Sequence, residues 1–203
     1  MAADATSPTL LSRLRDPADQ AAWEEFDALY RDLILRYARG RGLQPQDAED
    51  LRQEVMLALS RTLKGFRYRP ELGRFRDYLG TVVRNAVSGH LGRVCVEKPV
   101  CRGALESLPQ ESEAGPDAVW EREWSHHHLR RALQRVRVDF EERSVAIFEE
   151  LLAGEAVGEL ARRHGTTVQA IHKVKARVRD RLRELVEEQV RAEEFPGRAQ
   201  AGS

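Results

Sequence analysis

The stretch "AVGELARRHGTTVQAIHKVKARVRDRLREL", residues 156–185, decides the fold of the second half of the chain. Val157, Leu160 and Ala161 share one face of a short helix, and Gly165 interrupts it. Thr167 has the side chain of an N-cap. After it Val168, Ile171, Val174, Val178 and Leu182 recur at steps of three and four, the spacing of a long amphipathic helix. A short helix, a Gly-containing turn and a longer helix make the pattern of a helix-turn-helix. Opposite the apolar stripe lie Gln169, Lys173, Ala176, Arg177 and Asp180, with His172 on the flank. That face suits a major groove, its amino-terminal part reaching base edges. Arg179, Arg181 and Arg183 are placed to neutralise phosphates. Lys175, at the edge of the stripe, is expected to pack its stem and snorkel its charge. The bland alternative is a solvated, arginine-rich bundle helix, but such a helix needs no turn of this kind.

Upstream, three more periodic segments appear. Asp16-Pro17 reads as an N-cap with proline in the first turn, opening a helix whose Trp23, Phe26, Leu29, Tyr30, Leu33, Ile34 and Tyr37 face inward until Gly40 and Gly42. A second helix is predicted over 45–64, with Ala48, Leu51, Val55, Leu59 and Leu63 inward. Asp47, Glu49, Asp50, Gln53 and Glu54 form its other face. After the loop "GFRYRPELGRF", a third helix carries Phe75, Tyr78, Leu79, Val82, Val83, Ala86, Val87 and Leu91 on one stripe, with Arg84 and Asn85 opposite. "CVEKPVCRGALESLPQESEAGPDA" has no period and reads as a flexible linker. Helical spacing returns near Val119 and lasts to about Glu194, with "DFEERSVAIFEELLAG" as one helix. The expected fold is all-α: two small helical domains, 10–93 and 119–194, joined by a linker over 94–118, the second a helix-turn-helix.

The chain has 203 residues, with 33 Lys and Arg against 33 Asp and Glu, a formal net charge of zero. Zero hides segregation. Cations gather in the loop after the second helix and on the last helix. Acids gather on the second helix, in the linker (Glu106, Glu111, Glu113, Asp117) and near Glu141, Glu142, Glu149 and Glu150. No apolar run approaches ~20 residues, and the first residues lack the pattern of a signal peptide, so a cytoplasmic protein without membrane contact is expected. Cys95 and Cys101 fit a reducing compartment. With "HHH" at 126–128 they follow no common zinc spacing, and the histidines read as a solvated helix segment. No phosphate loop, nucleophile triad or paired carboxylates appear, so no enzyme, cofactor or metal is expected.

Taken together, "FDALYRDLILRYARGRGLQPQDAEDLRQEVMLALSRTLKGFRYRPELGRFRDYLGTVVRNAVSGHLGR" resembles the promoter-melting domain of bacterial extracytoplasmic-function (ECF) sigma factors, and residues 152–185 resemble their domain for the minus-thirty-five element. The resemblance implies a dissociable subunit of RNA polymerase that directs transcription initiation, monomeric when free. "DAEDLRQEV" looks like the helix that docks on the beta-prime clamp helices, which would use Asp47, Asp50, Gln53 and Glu54. "FRDYLGTVVRNAVSGHL" looks like the minus-ten helix. With the preceding loop it implies Lys64, Arg67, Tyr68, Arg69, Arg74, Arg84 and Asn85 on the melted strand. Cations for the backbone and flat side chains for the bases are what such a strand needs, and Arg76, Phe66 and Phe75 add to both, though Phe75 fits the core better. Asn85 can both donate to and accept from a base edge. Gln169, His172, Lys173, Ala176, Arg177, Arg179 and Arg181 would meet the minus-thirty-five duplex. His164 and Thr166 stand where similar proteins carry aliphatic residues, which predicts a less well packed turn. Two promoter elements nearly two turns apart are separated by roughly 55–70 Å, and about two dozen extended residues reach ~80 Å. The resemblance allows an anti-sigma partner, and no further regulatory domain is expected. The rivals are a free-standing helix-turn-helix regulator and a protein-interaction bundle.

Overall fold

The computed structural model describes residues 8–65, 75–97 and 116–194. Among them the secondary structure is entirely helical: α1 Pro8–Arg13, α2 Gln20–Gly40, α3 Pro45–Thr62 continued by a 3-10 turn Leu63–Gly65, α4 Phe75–Glu97, α5 Pro116–Asp139, α6 Glu142–Leu152, α7 Val157–Arg163 and α8 Val168–Glu194. The chain forms two compact units. One runs to His127 and takes back the end of the chain from Ala192; the other is His128–Arg191.

In the first unit the inward residues expected of α2, α3 and α4 are buried, except Trp23, Tyr78, Val82, Ala86 and Leu91, which are half-buried against the same core. Phe26, Tyr30, Leu33, Ile34 and Tyr37 meet Leu51, Val55, Leu59 and Leu63, and Leu79, Val83 and Val87 close over them with Phe75. The start of α2 differs from expectation. Asp19, not Asp16, caps the helix by accepting from the Ala22 N–H at 2.9 Å. Asp16 accepts from the Ala18 N–H and forms a turn instead. The room for that turn comes from α1, too short to show a period, whose Leu10 and Leu11 are buried along with Leu14 just beyond it. Arg13 at its end binds Asp19 at 2.9 Å and Glu25 at 3.1 Å. The Arg13 hydrogen bond, with the cap, holds the Asp19 carboxyl below its ordinary range.

The expected start of a second domain at 119 meets a different arrangement. Trp120 and Trp124, on the first half of α5, are buried in the core of the first unit. Trp120 lies edge-on to Tyr37 at 5.4 Å, and Trp124 stacks on Tyr30 at 5.8 Å. Helical spacing shows that a segment is amphipathic without showing which core it joins, and two tryptophans carry more apolar area than any other pair of side chains. Gly80 on α4 makes the contact, since a Cβ there would come within 2.6 Å of the Trp120 ring. The expected linker is shortened at both ends, because α4 runs to Glu97 and α5 begins at Pro116. Residues 98–115 lie outside the described residues.

The histidine run is not a solvated segment. His126 is exposed, but His127 and His128 are each only 2% exposed. Three successive helical residues span more than half the circumference, so an amphipathic helix must turn some of them inward. His127 stacks on Tyr30 at 5.8 Å within the first unit. His128 hydrogen-bonds through Nδ1 to Gln189 Oε1 at 2.9 Å within the second.

The second unit packs Ala132 and Val136 of α5 and Phe148 of α6 on Val178, Leu182 and Leu185 of α8, beside a smaller cluster of Ile147, Leu160, Ala161 and Ile171. The segment expected as one helix from Asp139 begins instead at Glu142, because α5 continues through Asp139. Gly165 takes φ +56°, the left-handed backbone that stops α7, and Thr167 caps α8 by accepting from the Ala170 N–H at 3.1 Å. The turn is tied by polar contacts where aliphatic packing was missed. His164 Nε2 lies 3.2 Å from Glu150, its carbonyl accepts from Arg143, and the Thr166 N–H donates to the Ala161 carbonyl at 2.8 Å. Val168, expected on the apolar stripe, is 47% exposed: it stands in the first turn, ahead of the point where α8 meets its neighbours.

Candidate polymerase- and DNA-binding surfaces

Three helical faces carry the residues expected to bind partners. On α3, Asp50, Gln53 and Glu54 are exposed together, one turn apart along the helix. Asp50 makes no ion pair among the described residues. Glu54 meets Arg93 of α4 at 2.7 Å, an exposed pair. Asp47 is half-buried one turn earlier, with His90 Nε2 at 3.9 Å. Leu57 extends the stripe by another turn and is 56% exposed. Sequence reasoning passed over Leu57 because an apolar residue in an amphipathic helix reads as core; only its phase, seven residues after Asp50, marks it as outward.

Glu49, beside Asp50 in the sequence, has a different task. It binds Arg52 at 2.9 Å and Arg31 of α2 at 2.6 Å, while Arg52 also meets Asp27 of α2. The Arg52 hydrogen bond, then that of Arg31, keeps the Glu49 carboxyl below its ordinary range. The acidic first turns of α3 therefore divide between a clasp on α2 and an outward stripe.

On α4 the two residues expected to share a face are treated differently. Asn85 is exposed. Arg84 is half-buried, donating from Nη2 to Thr81 Oγ1 at 3.1 Å and pairing through Nη1 with Asp117 of α5 at 3.1 Å. Asp117, expected as a linker acid, is thus a partner of α4. Arg76 pairs with Glu121 of α5 at 3.1 Å, and Phe75 is buried, as its position on the apolar stripe suggested. Lys64 is exposed on the 3-10 turn after α3. Phe66, Arg67, Tyr68, Arg69 and Arg74 lie outside the described residues.

On α8 the first two turns expose Gln169, His172 and Lys173, with Ala176 half-buried behind them. Arg177 is exposed, its guanidinium 5.5 Å from the centre of the Phe140 ring. Lys175 is exposed rather than packed, and Arg179 pairs with its neighbour Asp180 at 3.0 Å. Arg181 departs from the phosphate role. It is turned to Asp139 at 3.0 Å and to Glu184 at 3.3 Å, and the Asp139 hydrogen bond raises its pKa further. That pair closes the end of α5 onto α8 inside the second unit. Replacing Arg181 by Ala is expected to lower thermal stability by about 1 kcal/mol with little change in duplex binding, whereas Lys173→Ala should relax base specificity at a cost of about 1–3 kcal/mol. Gel shifts on matched and single-base-changed duplexes, beside thermal melts, distinguish these. Equal, sequence-independent binding losses for both variants would rule out the proposed orientation of α8.

Among the described residues no three His, Cys, Asp or Glu side chains converge as a metal site, and no helix is long and apolar enough to cross a membrane.

The first unit thus presents an exposed acidic stripe on α3 and a polar face on α4, and the second a helix-turn-helix. Residues 27–93, about a third of the chain, match the family model described as Sigma-70 region 2. The matched segment covers most of α2, all of α3 and α4 up to Arg93, so the stripe and the polar face both fall inside it. The match supports a sigma factor of the sigma-70 family that binds core RNA polymerase and promoter DNA in transcription initiation. No curated protein matches the chain.

Proposed function

We propose that the chain is a sigma factor of the ECF class, a cytoplasmic protein that is monomeric when free and docks on the clamp helices of the beta-prime subunit. The observation that carries this reading is the exposed α3 stripe inside the region 2 match: acids that the fold leaves outward, followed by an exposed leucine. Asp50, Gln53 and Glu54 with Leu57 form the contact, and Asp47 borders it. The first unit, which includes the start of α5, makes the promoter-melting domain, and the second unit, His128–Arg191, makes the domain on the minus-thirty-five element. Lys64, Arg67, Tyr68, Arg69, Arg74, Arg84 and Asn85 meet the melted minus-ten strand. Gln169, His172, Lys173, Ala176, Arg177 and Arg179 meet the upstream duplex, and Arg181 supports that surface from within the fold. The chain itself performs no covalent chemistry. An anti-sigma partner would find the same exposed surfaces.

The test is reconstitution of the full chain with core polymerase and permanganate footprinting on a promoter selected with that holoenzyme. Flipping a base out of the stack costs a few kcal/mol, returned by stacking and edge hydrogen bonds. Asn85→Ala should therefore reduce strand opening by at least tenfold while upstream duplex binding stays unchanged. A chain that binds its DNA tightly without core polymerase, and opens nothing with it, would be a free-standing regulator.

A further inference from the structure

Two carboxylates of α5 hold two of the three arginines of α4. Arg76 meets Glu121 at 3.1 Å and Arg84 meets Asp117 at 3.1 Å. Because the earlier arginine takes the later acid, α4 and α5 run antiparallel here, within the first unit. Between the pairs Trp120, 1% exposed, sits against Gly80. The burial of Trp120 fixes α5 on α4, and the ion pairs are not needed for it. They are also the exposed part of the contact, since the Asp117 side chain is 85% exposed while that of Arg84 is 25% exposed. Solvated carboxylates of this kind give up a partner at little cost, whereas the arginine stems are held in place.

We propose that Asp117 and Glu121 are internal competitors of nucleic-acid phosphate, occupying on Arg84 and Arg76 the positions that the backbone of a melted strand takes in the open complex. This rests on the reading of α4 as the strand-binding helix. An intramolecular acid faces its arginine at an effective concentration of about millimolar or more. Stray single strands in solution do not reach that level. A strand held beside α4 by polymerase does, and its phosphates then displace the carboxylates while Trp120 stays seated. The free chain is thereby kept off non-promoter single strands without any movement of a helix.

The experiment measures binding of the full chain, without polymerase, to a labelled single-stranded DNA of mixed sequence at low salt, by fluorescence anisotropy. Asp117→Asn with Glu121→Gln should tighten binding about tenfold, about 1.4 kcal/mol. Glu24→Gln, an exposed acid on α2, controls for net charge against each of the two substitutions made singly and should change binding less than twofold. The gain from Asp117→Asn should vanish in an Arg84→Ala background, and that from Glu121→Gln in an Arg76→Ala background. Tryptophan emission should stay constant, reporting that Trp120 remains buried. No gain, a gain matched by Glu24→Gln, a gain that survives loss of the arginine, or a red-shifted emission overturns the competition. If Arg84→Ala and Asn85→Ala leave strand binding of the Asp117→Asn, Glu121→Gln protein untouched, the assignment of α4 itself fails. If they weaken it while the acid substitutions give no gain, only the competition fails.

Discussion

Asp50→Arg combined with Glu54→Arg is expected to yield a chain that folds normally and no longer elutes with core polymerase. The fold has little to lose: Asp50 is exposed without an ion pair among the described residues, and Glu54 meets only the exposed Arg93, a contact worth at most about 1 kcal/mol. The interface has more to lose. Removing one partner of a desolvated charge pair costs about 2–5 kcal/mol, and reversal costs at least as much, so affinity should fall by a factor of about 30 to several thousand. Leu57→Ala should weaken the same complex by about tenfold, through lost apolar burial rather than charge, and so with little dependence on salt. Glu49→Gln is the counter-case. It should lower the melting temperature through the loss of its contacts to Arg31 and Arg52 while leaving polymerase binding nearly intact. Gel filtration with core enzyme beside thermal melts separates the outcomes. Unchanged co-elution of the double reversal would rule out α3 as the docking helix.

Trp120→Ala should be the most destabilising single change in the first unit, at about 3–5 kcal/mol. The ring is buried between Tyr37 and the notch at Gly80, and its removal leaves a cavity that helices crossing this closely cannot collapse. Gly80 supplies the complementary test. An added methyl group would stand within 2.6 Å of the indole, so Gly80→Ala should destabilise the natural protein by about 1–3 kcal/mol. In the Trp120→Ala background the clash is gone. There the same substitution should stabilise by up to about 1 kcal/mol, because alanine is the better helix former. A change of sign between the two backgrounds, read from denaturant unfolding, establishes the contact. Equal effects in both would place the indole elsewhere.

The helix-turn-helix was legible in the sequence because each of its signals is local: the cap at Thr167, the stop at Gly165, the stripe from Ile171 to Leu182. The inward faces of α2, α3 and α4 were legible for the same reason, since a 3.6-residue period is written in the residues themselves. The tryptophans of α5 were not legible as part of the first core, because a period says that a helix is amphipathic and nothing about its neighbour. His127 and His128 were misjudged on the same ground: a polar run suggested water, and the neighbours that bury each ring were invisible. Charged residues were the hardest to read. Glu49 and Asp50, or Arg179 and Arg181, are alike in type and close in sequence, and only the position of a partner on another helix tells a clasp from a free surface. Leu57 was passed over altogether, an apolar residue that faces outward.

The separation of Glu49 from Asp50 bears on how such a protein can change. Neighbours in a helix point about 100° apart, so one acid can be committed to α2 while the next is left to a partner. A substitution at Asp50, Gln53 or Leu57 then meets no opposition from stability, and the partner-facing stripe is free to drift toward a different surface one residue at a time. Asp27, Arg31, Glu49 and Arg52 have no such freedom. Altering Glu49 takes the partner from Arg31, and altering Arg52 takes the partner from Asp27, so the centre of that set moves by coordinated replacement. Adjacent positions of a single helix would therefore diversify at different rates, one paced by recognition and the other by architecture.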